Sequence, residues 1–160
     1  MAATRLTRRT TLAIGLAGAV LPKPFIQAGT AMADNLPDTV VYVSNAGNPA
    51  VGIFSMNRDS GELTAVDTVE IPGTDKPSPT SMPLAVGPDH RFLYAALRSE
   101  PYTVASFALD PATGRLTHLA NAPLPASMAY IITDRSGRFL LSASYPQSLL
   151  AINPIDGQGR

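Results

Sequence analysis

Arg91 to Arg115, RFLYAALRSEPYTVASFALDPATGR, is echoed by Arg138 to Arg160, RFLLSASYPQSLLAINPIDGQGR. A looser copy, VVYVSNAGNPAVGIFSMNRDSGE, runs from Val40 to Glu62. Each copy holds two short apolar strands joined and closed by polar turns. Self-similarity at a period of roughly 45–53 residues signals a stacked or radial repeat architecture. With this strand content, the unit is a small antiparallel sheet and the array reads as blades of an all-β propeller.

The turns carry the regularity. Arg58-Asp59-Ser60-Gly61, Asp110-Pro111-Ala112-Thr113-Gly114 and Asp156-Gly157-Gln158-Gly159 fall at matching places. In each, the Asp is expected to open the turn by accepting backbone hydrogen bonds, and the closing Gly takes a positive φ. A second class, Gly87-Pro88-Asp89-His90-Arg91 and Asp134-Arg135-Ser136-Gly137-Arg138, joins the first and second strands of a unit, and Asp89, like Asp59 and Asp110, reads as a turn opener.

Working outward, apolar runs of five to seven residues predict strands near 39–44, 51–56 and 63–71 in the first unit. The second unit holds strands near 84–87, 92–97, 103–109 and 116–120. The third holds 129–133, 139–144 and 149–153. The first group therefore lacks one strand of four, and residues 39–44 should lie innermost or second in their blade. A far C-terminal segment is expected to supply the missing strand. Residues 73–82, GTDKPSPTSM, cannot continue a strand and read as an inserted loop. Some two and a half blades do not close a ring of the usual four to eight, so the chain is expected to be the N-terminal part of a longer propeller.

The first thirty-three residues stand apart. Arg5, Arg8 and Arg9 precede an apolar run from Leu12 to Leu21, Ala31-Met32-Ala33 offers a small-x-small cleavage site, and the first acid is Asp34. This is the three-part layout of a secretory signal peptide. The run is too short to anchor in a bilayer. Thr7-Arg8-Arg9-Thr10-Thr11-Leu12 resembles a twin-arginine export signal, with Thr11 where an aromatic is usual. The alternative is a general secretory signal that holds two arginines. Either places residues 34–160 in a periplasm or outside the cell.

The formal charge of zero hides an asymmetry. Without residues 1–33 the chain keeps 8 basic against 12 acidic side chains, a balance of −4. A mildly acidic surface with no basic cluster argues against nucleic acid or an anionic membrane as partner. There is no cysteine, so disulfides and thiolate metal sites are excluded. No phosphate loop, His-Glu zinc motif or nucleophile elbow occurs. Neither His90, in a turn, nor His118, on an outer strand, has a partner at metal or triad spacing, and both read as ordinary solvated residues. No cofactor and no metal are expected.

Tyr42-Val43-Ser44-Asn45, Pro88-Asp89-His90-Arg91-Phe92-Leu93-Tyr94 and Asp110-Pro111-Ala112-Thr113-Gly114-Arg115-Leu116 resemble the 6-phosphogluconolactonase family of seven-bladed propellers, which also includes carboxy-muconate lactonising enzymes. The likeness continues through Val104-Ala105-Ser106-Phe107, Thr133-Asp134 and Leu141-Ser142-Ala143-Ser144-Tyr145 and covers residues 40–160. It implies a protein of about twice this length or more, acting as a hydrolase on the lactone of a sugar or organic acid. It also implies that the catalytic His, Arg and Glu come from blades beyond Arg160, so no catalytic residue is expected in this chain. A small-molecule lactone or sugar acid is the expected ligand, and the C-terminal blades of the same protein are the expected partner. Export suggests a non-phosphorylated lactone. The competing reading is a non-catalytic propeller that binds or scaffolds, because fold does not imply function.

Arg98-Ser99-Glu100 is the polar group singled out as a possible substrate rim. Arg98 follows the second strand of the complete unit, Tyr145 takes the matching place in the third, and Asn45 lies close to it in the first. An arginine at a channel mouth can hold a carboxylate or the oxyanion of an opening lactone. A solvated hairpin would read identically.

Overall fold

The computed structural model describes residues 39–73, 76 and 81–160; residues 1–33, read above as a signal peptide, lie outside them. Among the described residues ten strands form three antiparallel sheets. The first sheet holds β1 (Val40–Asn45), β2 (Ala50–Met56) and β3 (Leu63–Glu70) in that order. The second holds β4 (Leu84–Val86), β5 (Phe92–Leu97), β6 (Thr103–Leu109) and β7 (Leu116–Pro123). The third holds β8 (Tyr130–Thr133), β9 (Phe139–Ser144) and β10 (Leu149–Pro154). The expected strands are all present, and β1 is the edge of a three-stranded sheet in the place that β5 occupies in the complete one. β7 runs three residues further than its apolar pattern suggested. Pro123 can end it because an outer-edge strand need not donate from every residue.

The repeat survives in the register. Tyr42 pairs with Ile53 as Tyr94 pairs with Ser106, and a β-bulge follows each pair, at Ile53/Phe54 and Ser106/Phe107. By the same register Leu141 stands for Tyr94 in the third sheet, and Asn153 for Phe107.

Side-chain alternation makes the second sheet a shared wall. Leu93, Ala95, Leu97, Ala105 and Phe107 pack with Val51 and Ile53 against the first sheet. Tyr94, Ala96 and Val104 pack with Ile131 and Leu140 against the third. Burial on both faces explains why β5 and β6 read as nearly continuous apolar runs. The far face of the third sheet keeps the same apolar composition, with Tyr130, Ile132, Leu141, Leu150 and Ile152 exposed. The register puts these five side chains on one side, opposite Ile131 and Leu140.

Gly61, Gly114 and Gly159 take positive φ of 73°, 70° and 79°. Two openers correct the sequence reading. In the first turn Asn57, not Asp59, accepts from the amides of residues 59 and 60, matching Asp110, which accepts from Ala112 and Thr113. Asp89 likewise sits inside its turn and accepts from the Arg91 amide; the opening position there is Gly87, equivalent to Asp134. In both cases the residue two positions before the expected opener is the last one whose backbone still pairs across the hairpin. Asn57 exchanges hydrogen bonds with Glu62 and Gly61, so its side chain is the one aimed over the turn.

Candidate functional site

Strand polarity sorts the connections onto two ends. The hairpin loops after β1, β5 and β9, together with the entries into β4 and β8, lie at one end, here the rim. The turns between β2 and β3, β4 and β5, β6 and β7, and β8 and β9 lie at the other.

All four proposed rim residues, Asn45, Arg98, Glu100 and Tyr145, fall at the rim end of their sheets, but in different settings. Asn45 is exposed, and its side-chain oxygen accepts from the amides of Gly47 and Asn48, so it shapes its own hairpin. Glu100 is exposed and precedes the cis-proline Pro101. Tyr145 is 75% exposed. Arg98 is buried, 7% exposed.

The Arg98 guanidinium donates from Nε to the Ser127 hydroxyl at 3.0 Å and from one terminal nitrogen to the Ser81 hydroxyl at 2.9 Å. Ser81 lies in the entry to β4 and Ser127 in the entry to β8. Arg98 therefore ties two successive inter-sheet connections to the hairpin between β5 and β6. The neighbouring Ser99 hydroxyl donates to the Lys76 carbonyl, and Ser144 donates to the Ser127 carbonyl at 2.8 Å. A guanidinium fixed in this way presents a preorganised fork rather than a mobile surface charge. Sequence reasoning found Arg98 but not its serine partners, which are remote in the chain and carry no motif.

The histidines behave as ordinary residues. His118 is exposed, bonds the Asn121 side chain at 2.9 Å and meets the Phe107 ring edge-on. Asn121 donates its amide to the Pro72 carbonyl. His90 is exposed at φ 57°, the position Gly137 holds in the next unit. Among the described residues no group of three or more His, Cys, Asp or Glu is gathered for a metal. No helix there is long and apolar enough to cross a membrane.

The turn end holds charged groups of unusual affinity for protons. Asp134 is held down to about 2, first by the Ser136 hydroxyl and then by the Phe139, Ser136 and Arg138 amides. Asp110 is lowered chiefly by the Ala112 amide, and Asp156 chiefly by the Arg160 amide. Tyr42 and Tyr94 are each raised to about 12 by burial, Tyr94 also by the charges of Asp89 and Asp156.

Repeated antiparallel sheets of three or four strands, packed face to face with their loops gathered at one end, are the blades of a β-propeller. The chain belongs to the family described as "Lactonase, 7-bladed beta-propeller", whose profile matches residues 69–160. It is 36% identical over 120 residues to the 6-phosphogluconolactonase of Xenorhabdus nematophila, covering 75% of this chain and 34% of that protein. It is 38% identical over 119 residues to that of Yersinia pestis, covering 74% and 33%. The chain thus spans about a third of the length of the curated relatives it matches. The Pseudomonas aeruginosa periplasmic gluconolactonase superposes with a TM-score of 0.63 at 22% identity, over 74% of this chain and 33% of that one. A Bacteroides fragilis structure superposes at 0.65 with 24% identity, over 74% and 32%. At these identities the superpositions establish the fold.

Proposed function

We propose that the protein carrying these blades opens the lactone of a sugar or organic acid, in the manner of a 6-phosphogluconolactonase, and that its substrate is non-phosphorylated. The observation that carries the first part is the family match across residues 69–160. The export-type residues 1–33 motivate the second, since sugar phosphates are cytoplasmic intermediates. In the reaction water adds to the acyl carbon, the ring ester bond breaks, and the products are a hydroxyl and a carboxylate with release of a proton. Catalysis requires a base for the water and a donor for the carbonyl oxyanion.

In this reading Arg98 is a positioning residue. Its serine contacts order the rim hairpin on which Glu100 is exposed. Asn45, Glu100 and Tyr145 are the residues offered to a substrate, and the acid–base groups come from the remaining blades.

The test is proton release by the purified full-length protein with δ-gluconolactone and with its 6-phosphate. Faster opening of the unphosphorylated lactone is expected. Preference for the phosphate would remove the substrate reading and keep the lactonase. Rates equal to buffer for both would remove the lactonase reading and leave a binding or scaffold role. Export is tested separately by fusing residues 1–33 to a reporter, with Arg8→Lys and Arg9→Lys expected to block its transport.

A further inference from the structure

The two interfaces between sheets differ at one atom. Tyr42 and Tyr94 occupy equivalent places, each on the second strand and facing the next sheet. At the first interface the Tyr42 hydroxyl donates to the Gly114 carbonyl at 2.7 Å, closing against the turn that follows β6. The matching turn after β10 is one residue shorter, Asp156–Gly159 against Asp110–Gly114. Gly159 there lies directly against the Phe92 ring. Tyr94 is only 3% exposed, and its hydroxyl makes no hydrogen bond to a described residue. It lines instead a groove of about 340 Å³ at the turn end between the second and third sheets.

The groove's lining is chemically mixed. Asp89 and Asp156 supply acceptors, Arg91, Arg138 and Ser136 supply donors, and Phe92 supplies an apolar face. The carboxylates are already matched by cations: Asp89 lies 3.8 Å from Arg91, and Asp156 lies 3.2 Å from Arg160. A bare cation gains little from carboxylates so paired, and a simple anion meets two of them. A ligand that both donates and accepts, and has an apolar face for the ring, fits better. Its volume is at the small end of ligand pockets.

We propose that this groove is a second binding site, for a small polyhydroxylated molecule the size of a hexitol or hexonate, with the Tyr94 hydroxyl as its deepest contact. The site is at the opposite end of the sheets from the rim, and its occupancy is independent of lactone opening. Asp89 and Asp156 line the same groove as Tyr94, near enough for their charges to act on it.

The experiment is NMR titration of the protein with sorbitol and, in parallel, gluconate, following the amides of Gly87, Gly137 and Gly157. Saturable shifts at these amides are expected, with a Kd on the order of 1 mM. Tyr94→Phe keeps the ring and fold and should weaken binding about five- to tenfold, as the loss of a neutral hydrogen bond implies. Asp156→Asn should weaken it too. Equal binding of the two probes means hydroxyl recognition alone, and tighter gluconate binding adds Arg138 as a contact; either supports the site. Absence of shifts, shifts reproduced by acetate, or binding unchanged in both variants would overturn it.

Discussion

Gly61→Ala and Gly114→Ala place the same substitution in the same turn of successive units, and the structure separates their costs. Both glycines have positive φ, 73° and 70°. A non-glycine residue there loses roughly 1–2 kcal/mol to backbone sterics, offset by roughly 0.4–1 kcal/mol from the stiffer unfolded chain. At Gly61 nothing else lies within 4 Å of the new methyl group, so a net loss of about 1 kcal/mol is expected. At Gly114 the methyl would stand 2.7 and 2.9 Å from the two γ-carbons of Val40. A β-branched side chain has little rotamer freedom with which to yield, and overpacking of this kind costs about 1–3 kcal/mol. Displacing the turn would also strain the Tyr42 hydrogen bond to the Gly114 carbonyl, a further ~1 kcal/mol. Gly114→Ala should therefore lose about 3 kcal/mol, roughly 2 more than Gly61→Ala. For a chain of this size that gap is about 4–8 °C in Tm. Urea unfolding of the two variants beside the parent measures it. Equal losses would show that the first interface is not packed as described.

His90→Gly should stabilise by about 0.5 kcal/mol, because His90 holds a left-handed φ that Gly137 holds without strain in the next unit; a lower Tm would contradict this. Asn153 has a buried side-chain oxygen with no partner among the described residues, where the preceding unit has the core residue Phe107. Asn153→Leu removes that unpaired acceptor and should gain about 1 kcal/mol in urea unfolding. Asp134 has a folded pKa of about 2 against an ordinary 3.8, so its contribution is present above pH 4 and fades as pH falls toward 2. Tm measured across that window should fall less steeply in Asp134→Asn than in the parent. Tyr42 and Tyr94, raised from 10.0 to about 12, stabilise below pH 10 and lose that contribution as pH rises through 12. Phenolate absorbance should then appear late for these two, and Tyr42→Phe with Tyr94→Phe should blunt the alkaline loss.

Strand positions and the repeat were legible because they depend on neighbours in sequence: period-two alternation marks a sheet face, and a glycine after a polar opener marks a left-handed turn. The family resemblance was legible for the same reason, in contiguous words such as residues 88–94 and 110–116. The openers were two residues off, because Asn57 and Asp59 are equally suited by type and only hairpin pairing chooses between them. Arg98 could be named as polar and terminal to β5, yet its burial is made by Ser81 and Ser127, 17 and 29 residues away. The unlike fates of Tyr42 and Tyr94 are invisible along the chain, since both follow the same pattern on the same strand. Whether each hydroxyl meets a carbonyl or a groove depends on how far the next sheet's turn reaches across, a distance set by packing between sheets.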